Sequence, residues 1–128
     1  MSKEKPKILM IEEDHFLRKI YRDKLSRFGF EFLEATNGEE GLNKIIAEKP
    51  DIVLLDLMLP RKNGFDVLID MKSNKNTENI PVIILSNLGQ ESDIQRGLAL
   101  GAKDYLVKTE VSLSGVVERV KEQLVRAR

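Results

Sequence analysis

The sequence has no cysteine anywhere in its 128 residues, which excludes a disulfide framework and a thiolate-held metal. It has no excess of charge either. Twenty-one basic residues face 21 acidic ones, so no field is set up that would draw in nucleic acid or a membrane surface. No apolar run approaches the roughly 20 residues needed to cross a bilayer, and the start MSKEKPK is too polar for a signal peptide. Ser-rich and Pro-rich linkers are missing as well. These absences predict one soluble, cytoplasmic domain over residues 1–128, with a core from about 6 to 126.

What is present is an alternation. Short apolar runs, KILMI (7–11), EFLEA (31–35), DIVLL (51–55), PVIIL (81–85) and DYLV (104–107), are separated by longer segments with helical periodicity. Five βα units of this length predict an α/β fold with a doubly wound, five-stranded parallel sheet and helices on both faces. The flavodoxin-like order 2-1-3-4-5 fits, because runs that are apolar throughout need cover on both sides. EFLEA alternates Glu31, Phe32, Leu33 and Glu34, which suits an edge.

The helices carry stop and start signals. Asp14 caps the first, whose inward face is expected at Phe16, Ile20 and Leu25. Asn37 with Glu40 has capping-box spacing ahead of Leu42, Ile45 and Ile46. Gly101 ends the fourth helix, and Val116, Val117, Val120 and Leu124 stripe the fifth.

The polar residues fall where chemistry is expected in such a sheet, at the carboxyl ends of strands beside the switch point. Strand 1 ends on Glu12 and Glu13, strand 3 on Asp56, strand 4 on Ser86 and strand 5 on Lys108, while strand 2 ends on Ala35 and Thr36 and stands apart. Clustered carboxylates repel, and a hard divalent cation such as Mg²⁺ offsets that repulsion while leaving coordination positions for phosphate oxygens. Lys108 and Ser86 supply a cation and a hydroxyl for a phosphoryl group, and an ionised Asp56 is a nucleophile that needs no general base. Taken alone, Glu12, Glu13 and Asp14 would be ordinary acids at a helix start. His15 reads as a solvated residue of the first turn.

The motifs ILMIEED, DIVLLDLMLPRKNGFDVL, PVIILSN and GAKDYLVK, in this order and spacing, resemble the receiver domains of two-component response regulators over nearly the whole chain. The resemblance implies that Asp56 takes a phosphoryl group from the phosphohistidine of a sensor histidine kinase or a phosphotransfer protein. It implies Mg²⁺ held by Glu13, Asp56 and the backbone carbonyl of Met58, with Glu12 acting through a metal-bound water. Ser86 would bind the new phosphoryl group and Tyr105 would move from an exposed to a buried rotamer. That change would switch the face formed by the fourth helix, fifth strand and fifth helix toward a downstream protein target. The sequence reaches Arg128 just past the fifth helix, so no output domain is expected within it, and its zero net charge leads us to expect no direct contact with nucleic acid or membrane.

Three positions depart from the family pattern: Glu13 where Asp is usual, Thr109 where Pro usually follows the lysine, and Asn87 where a small residue usually follows the hydroxyl. They support an alternative, a pseudo-receiver that binds proteins without being phosphorylated. A phosphatase on a similar fold lacks its second Asp, since Met58 stands there. Arg96, Lys103, Asp104 and Arg119 offer mixed charges for a phosphorylation-dependent homodimer. By the same resemblance the two positions flanking the approach of water are Met58 and Leu88, and because both are apolar they predict slow loss of the phosphoryl group.

Overall fold

The computed structural model describes residues 5–127. In chain order its elements are β1 (Lys7–Ile11), α1 (His15–Arg27), β2 (Glu31–Ala35), α2 (Gly38–Glu48), β3 (Ile52–Leu55), α3 (Gly64–Lys72), β4 (Val82–Ser86), α4 (Glu91–Ala99), β5 (Asp104–Val107) and α5 (Leu113–Arg126). The strands form one parallel sheet in the order β2-β1-β3-β4-β5, as expected.

Successive side chains of a strand point to opposite faces, and the apolar runs therefore divide between two cores. Leu9, Ile11, Val53, Leu55, Val82 and Ile84 face Ile45 of α2 and Val67, Leu68 and Met71 of α3. Ile8, Met10, Ile52, Leu54, Ile83 and Leu85 face Tyr21 and Leu25 of α1 and Val116, Val117 and Val120 of α5. A strand feeding both cores has no polar position to spare until it ends, and so the polar residues gather at the ends. Asp51 lies just before β3 and not in it, accepting a 2.7 Å hydrogen bond from the Lys7 amide, while Ser86 is the last residue of β4.

The caps follow the sequence. The Asp14 carboxylate accepts from the Phe16 and Leu17 amides, Asn37 from Glu40, Asn63 from Asp66 and Ser112 from Gly115. The inward face of α1 does not. Phe16 is 75% exposed and Ile20 49%, whereas Arg18, Tyr21 and Leu25 are buried. At about 100° per residue, the nine positions from Phe16 to Leu25 amount to half a turn, so the two cannot share a face; 18, 21 and 25 fall within roughly 60° of one another. Ile46 of α2 is likewise exposed.

No described helix is long and apolar enough to cross a membrane. No described peptide bond is cis, Lys108–Thr109 included.

Candidate phosphoacceptor site

The ends of β1, β3 and β5 bring Glu12, Asp56 and Lys108 together. Glu12 is 3% exposed and Asp56 6%, both far below what a carboxylate tolerates without partners. The partner is Lys108, whose ammonium lies 2.6 Å from Glu12 Oε1 and 3.0 Å from Asp56 Oδ2. Glu12 Oε2 accepts from the Asp14 amide at 2.9 Å and Asp56 Oδ1 from the Met58 amide at 3.2 Å. The short contact from Lys108 to Glu12 is an ion pair off the hydrogen-bond line, which leaves Oε1 a buried oxygen with no aligned donor.

Burial pushes the Glu12 carboxyl above the usual carboxylate range, and the nearby Asp56 charge adds to this. Lys108 and the Asp14 amide pull the other way without cancelling it. For Lys108, burial works against the charge, but pairing with Glu12 and Asp56 outweighs it and holds the ammonium more firmly than usual.

Ser86 is fully buried at the end of β4, and its Oγ accepts from the Leu88 amide at 3.4 Å. The Leu88 carbonyl in turn accepts from the Tyr105 hydroxyl. The Tyr105 ring is half-buried, and burial pushes its hydroxyl up to about 12. The Lys108 amide donates to the Ser86 carbonyl at 2.9 Å, tying the two groups of residues together through the backbone.

Glu13 does not join them. Its side chain is exposed, and among the described residues no three carboxylate or imidazole side chains come together to hold a metal ion. The side chains of Glu12, Glu13 and Asp56 thus do not meet as one group; the Lys108 ammonium lies within ion-pair distance of both Glu12 and Asp56. The donor set still suits Mg²⁺, which takes one or two protein carboxylates and fills its other positions with carbonyls, water and phosphate oxygens. The undonated Glu12 Oε1 is the kind of atom such an ion satisfies. The Met58 side chain is 58% exposed and leaves the loop backbone to do any ligation. Of the charges proposed for pairing between two copies, Asp104 and Arg119 are engaged with each other at 2.5 Å, and the Arg96 guanidinium lies over the Phe65 ring at 4.1 Å.

Sequence reasoning missed Arg18. Its Nη1 donates to the carbonyls of Glu12 and Glu13, and its Nε donates to Glu34. The signal was its place on the inward stripe with Tyr21 and Leu25.

This geometry agrees with comparison to known proteins. The family model described as the response regulator receiver domain matches residues 8–121. The chain belongs to that family. Its fold is that of the receiver domain of the Francisella response regulator 1452, at a TM-score of 0.89 and 29% identity, covering 96% of this chain and 99% of that one. The BeF3-activated N-terminal receiver domain of Klebsiella pneumoniae RstA aligns at a TM-score of 0.84 and 27% identity, covering 92% and 97%. Among curated proteins, a probable transcriptional regulator ycf27 of Guillardia theta is 38% identical over 81% of this chain and 40% of its own length. The phosphate regulon transcriptional regulatory protein PhoB of Rhizobium meliloti is 37% identical over 96% and 54%. This receiver domain thus spans about half the length of the curated relatives it matches, and it is a receiver of the two-component type.

Proposed function

We propose that Asp56 is the phosphoacceptor of this receiver domain and that its donor is a phosphohistidine on a histidine kinase or phosphotransfer protein. The observation that carries the reading is the buried Asp56 carboxylate, 3.0 Å from a lysine that also holds Glu12, at the switch point of the sheet. An Asp56 carboxylate oxygen forms the new O–P bond as the P–N bond to the imidazole breaks, and the electron pair leaves with the imidazole nitrogen. Lys108 sits where it can follow an oxygen of the transferred group. Ser86 Oγ, so far engaged only by the Leu88 amide, has its own O–H to donate to the phosphoryl group.

Glu12, Asp56 and the Met58 carbonyl would hold Mg²⁺, which when bound neutralises charge on the phosphoryl oxygens. Exposed Phe16 and Ile20, on the helix that begins beside the site, offer the apolar contact a donor protein needs. Output would pass from Ser86 through Leu88 and Tyr105 to α4, β5 and α5. The full-length relatives are named as transcriptional regulators; a net charge of zero supports a role for this domain in protein contacts and not in nucleic-acid binding.

The test is intact-mass spectrometry after treatment with acetyl phosphate and Mg²⁺. One phosphoryl group is expected on the wild type and none on Asp56→Asn. An unmodified wild type would turn the reading to the phosphorylation-independent binding module.

A further inference from the structure

Arg18 extends from α1 into the protein and is 9% exposed. Its Nη1 donates to the Glu12 carbonyl at 2.7 Å and the Glu13 carbonyl at 3.0 Å, and its Nε donates to Glu34 Oε1 at 3.0 Å. The other oxygen of Glu34 accepts from Arg22 at 2.6 Å. The two carbonyls belong to the acidic segment that leads from β1 into α1, and Glu34 belongs to β2, the strand whose own end brings nothing to the site.

We infer that Arg18 is a positioning residue: it clamps the Glu12–Glu13 segment to the edge strand and so sets where the Glu12 carboxylate stands beside Asp56. The inference rests on the phosphoacceptor reading of that site.

The segment has few other means of holding its shape. The Glu12 amide donates to the Ala35 carbonyl at 3.0 Å, and the Asp14 amide to the Glu12 carboxylate itself. Both remaining carbonyls are taken by one nitrogen of Arg18. A buried carbonyl without a donor is costly, so loss of the guanidinium forces the two peptide units to turn toward water. Glu12 is carried on one of them, and its Oε2 is the acceptor that fixes the Asp14 amide. The pairing of Arg18 with Glu34 balances its charge, and what reaches the site is geometry. Lysine cannot substitute, because a single ammonium lacks the planar fork that serves two carbonyls and a carboxylate together.

Wild type, Arg18→Lys, Arg18→Met and Leu25→Ala distinguish positioning from mere stability, since Leu25 is a buried residue of the same helix, in a core cluster that does not include Glu12, Glu13 or Asp14. Three readouts apply: the Mg²⁺ concentration giving half the maximal shift in Tm, the initial rate of Asp56 phosphorylation by acetyl phosphate, and hydrogen exchange at the Asp14 amide. Both Arg18 variants are expected to raise the Mg²⁺ midpoint about 10- to 100-fold, the range for residues that orient a metal ligand from behind. They should also slow phosphorylation and speed Asp14 exchange about tenfold or more. Leu25→Ala should lower Tm and leave all three unchanged relative to its own unfolding. Arg18→Lys retains the stem and charge, so a failure of Arg18→Met to fold does not end the test. Wild-type values in the Arg18 variants, or equal shifts in Leu25→Ala, overturn the inference. A wild type that takes no phosphoryl group overturns the phosphoacceptor reading instead, and Asp14 exchange, which needs neither metal nor phosphodonor, still decides whether Arg18 positions the segment.

Discussion

Helices α3 and α4 are both nine residues long and flank the site, yet they are held quite differently. Helix α3 buries Phe65, Val67, Leu68 and Met71 and is capped by Asn63. It starts so close to the phosphoacceptor strand that a Cβ on Gly64 would come within 2.3 Å of the Asp56 carbonyl oxygen. Helix α4 buries only Gly97, leaves Leu98 exposed, and begins at Gln90 with no side-chain cap. Its contact with the sheet runs through Gly97, where a Cβ would lie 2.5 Å from Ile84 and 3.1 Å from Tyr105. Thus the helix joined to the Asp56 backbone is anchored, while the helix joined to the Ser86–Leu88–Tyr105 chain is lightly held. Low local stability is where a conformational response is cheapest, and here it is on the side of the hydroxyl and the tyrosine.

The contrast is most exposed to core truncation. Leu68→Ala in α3 should cost about 2 to 5 kcal/mol, against a change within about 0.5 kcal/mol for Leu98→Ala in α4, both by urea unfolding. Similar losses would erase the difference. Caps come next: Asn63→Ala should cost about 1 kcal/mol, and Gln90→Asp should add a comparable amount by giving α4 the acceptor it lacks. Amide exchange in the first turn of α4 would slow only in the second variant.

Tyr105→Phe removes the hydrogen bond to the Leu88 carbonyl, for about 0.5 to 1.5 kcal/mol, and should loosen α4 but not α3 by the same exchange measurement. The smallest effect lies at the far edge of the sheet. Burial alone would raise the Glu34 carboxyl, but Arg22 and Arg18 hold it below its usual range. Its contribution is therefore complete above the unfolded carboxylate's titration and is lost as pH falls through the lower folded value. Glu34→Gln should flatten that acid limb of the stability curve and leave the neutral-to-alkaline part parallel.

Much of this was legible beforehand because a parallel sheet writes its strands as uninterrupted apolar runs. KILMI, EFLEA and DYLV became strands with the expected bounds, and the polar residues that broke the runs marked where to look. Glu12, Asp56 and Lys108 were brought together because strand ends in such a sheet converge. Counting large apolar residues failed in α1, where Phe16 is prominent in the sequence but half a turn from Leu25, and it passed over Arg18, which such a count does not include. Setting β2 aside because of its plain end overlooked Glu34, the last residue but one of that strand.

The parallel pairing of β1 with β3 has a consequence in time. The Lys7 amide meets the Asp51 carboxylate across 44 residues of chain. At synthesis rates of roughly 5 to 20 residues per second, the first strand waits about 2 to 9 s for its central neighbour to be made. Throughout that interval Ile8, Leu9, Met10 and Ile11, all essentially sequestered in the finished protein, have only the edge strand β2 for a neighbour in the sheet, and apolar surface left open in this way is what makes a nascent chain prone to aggregate.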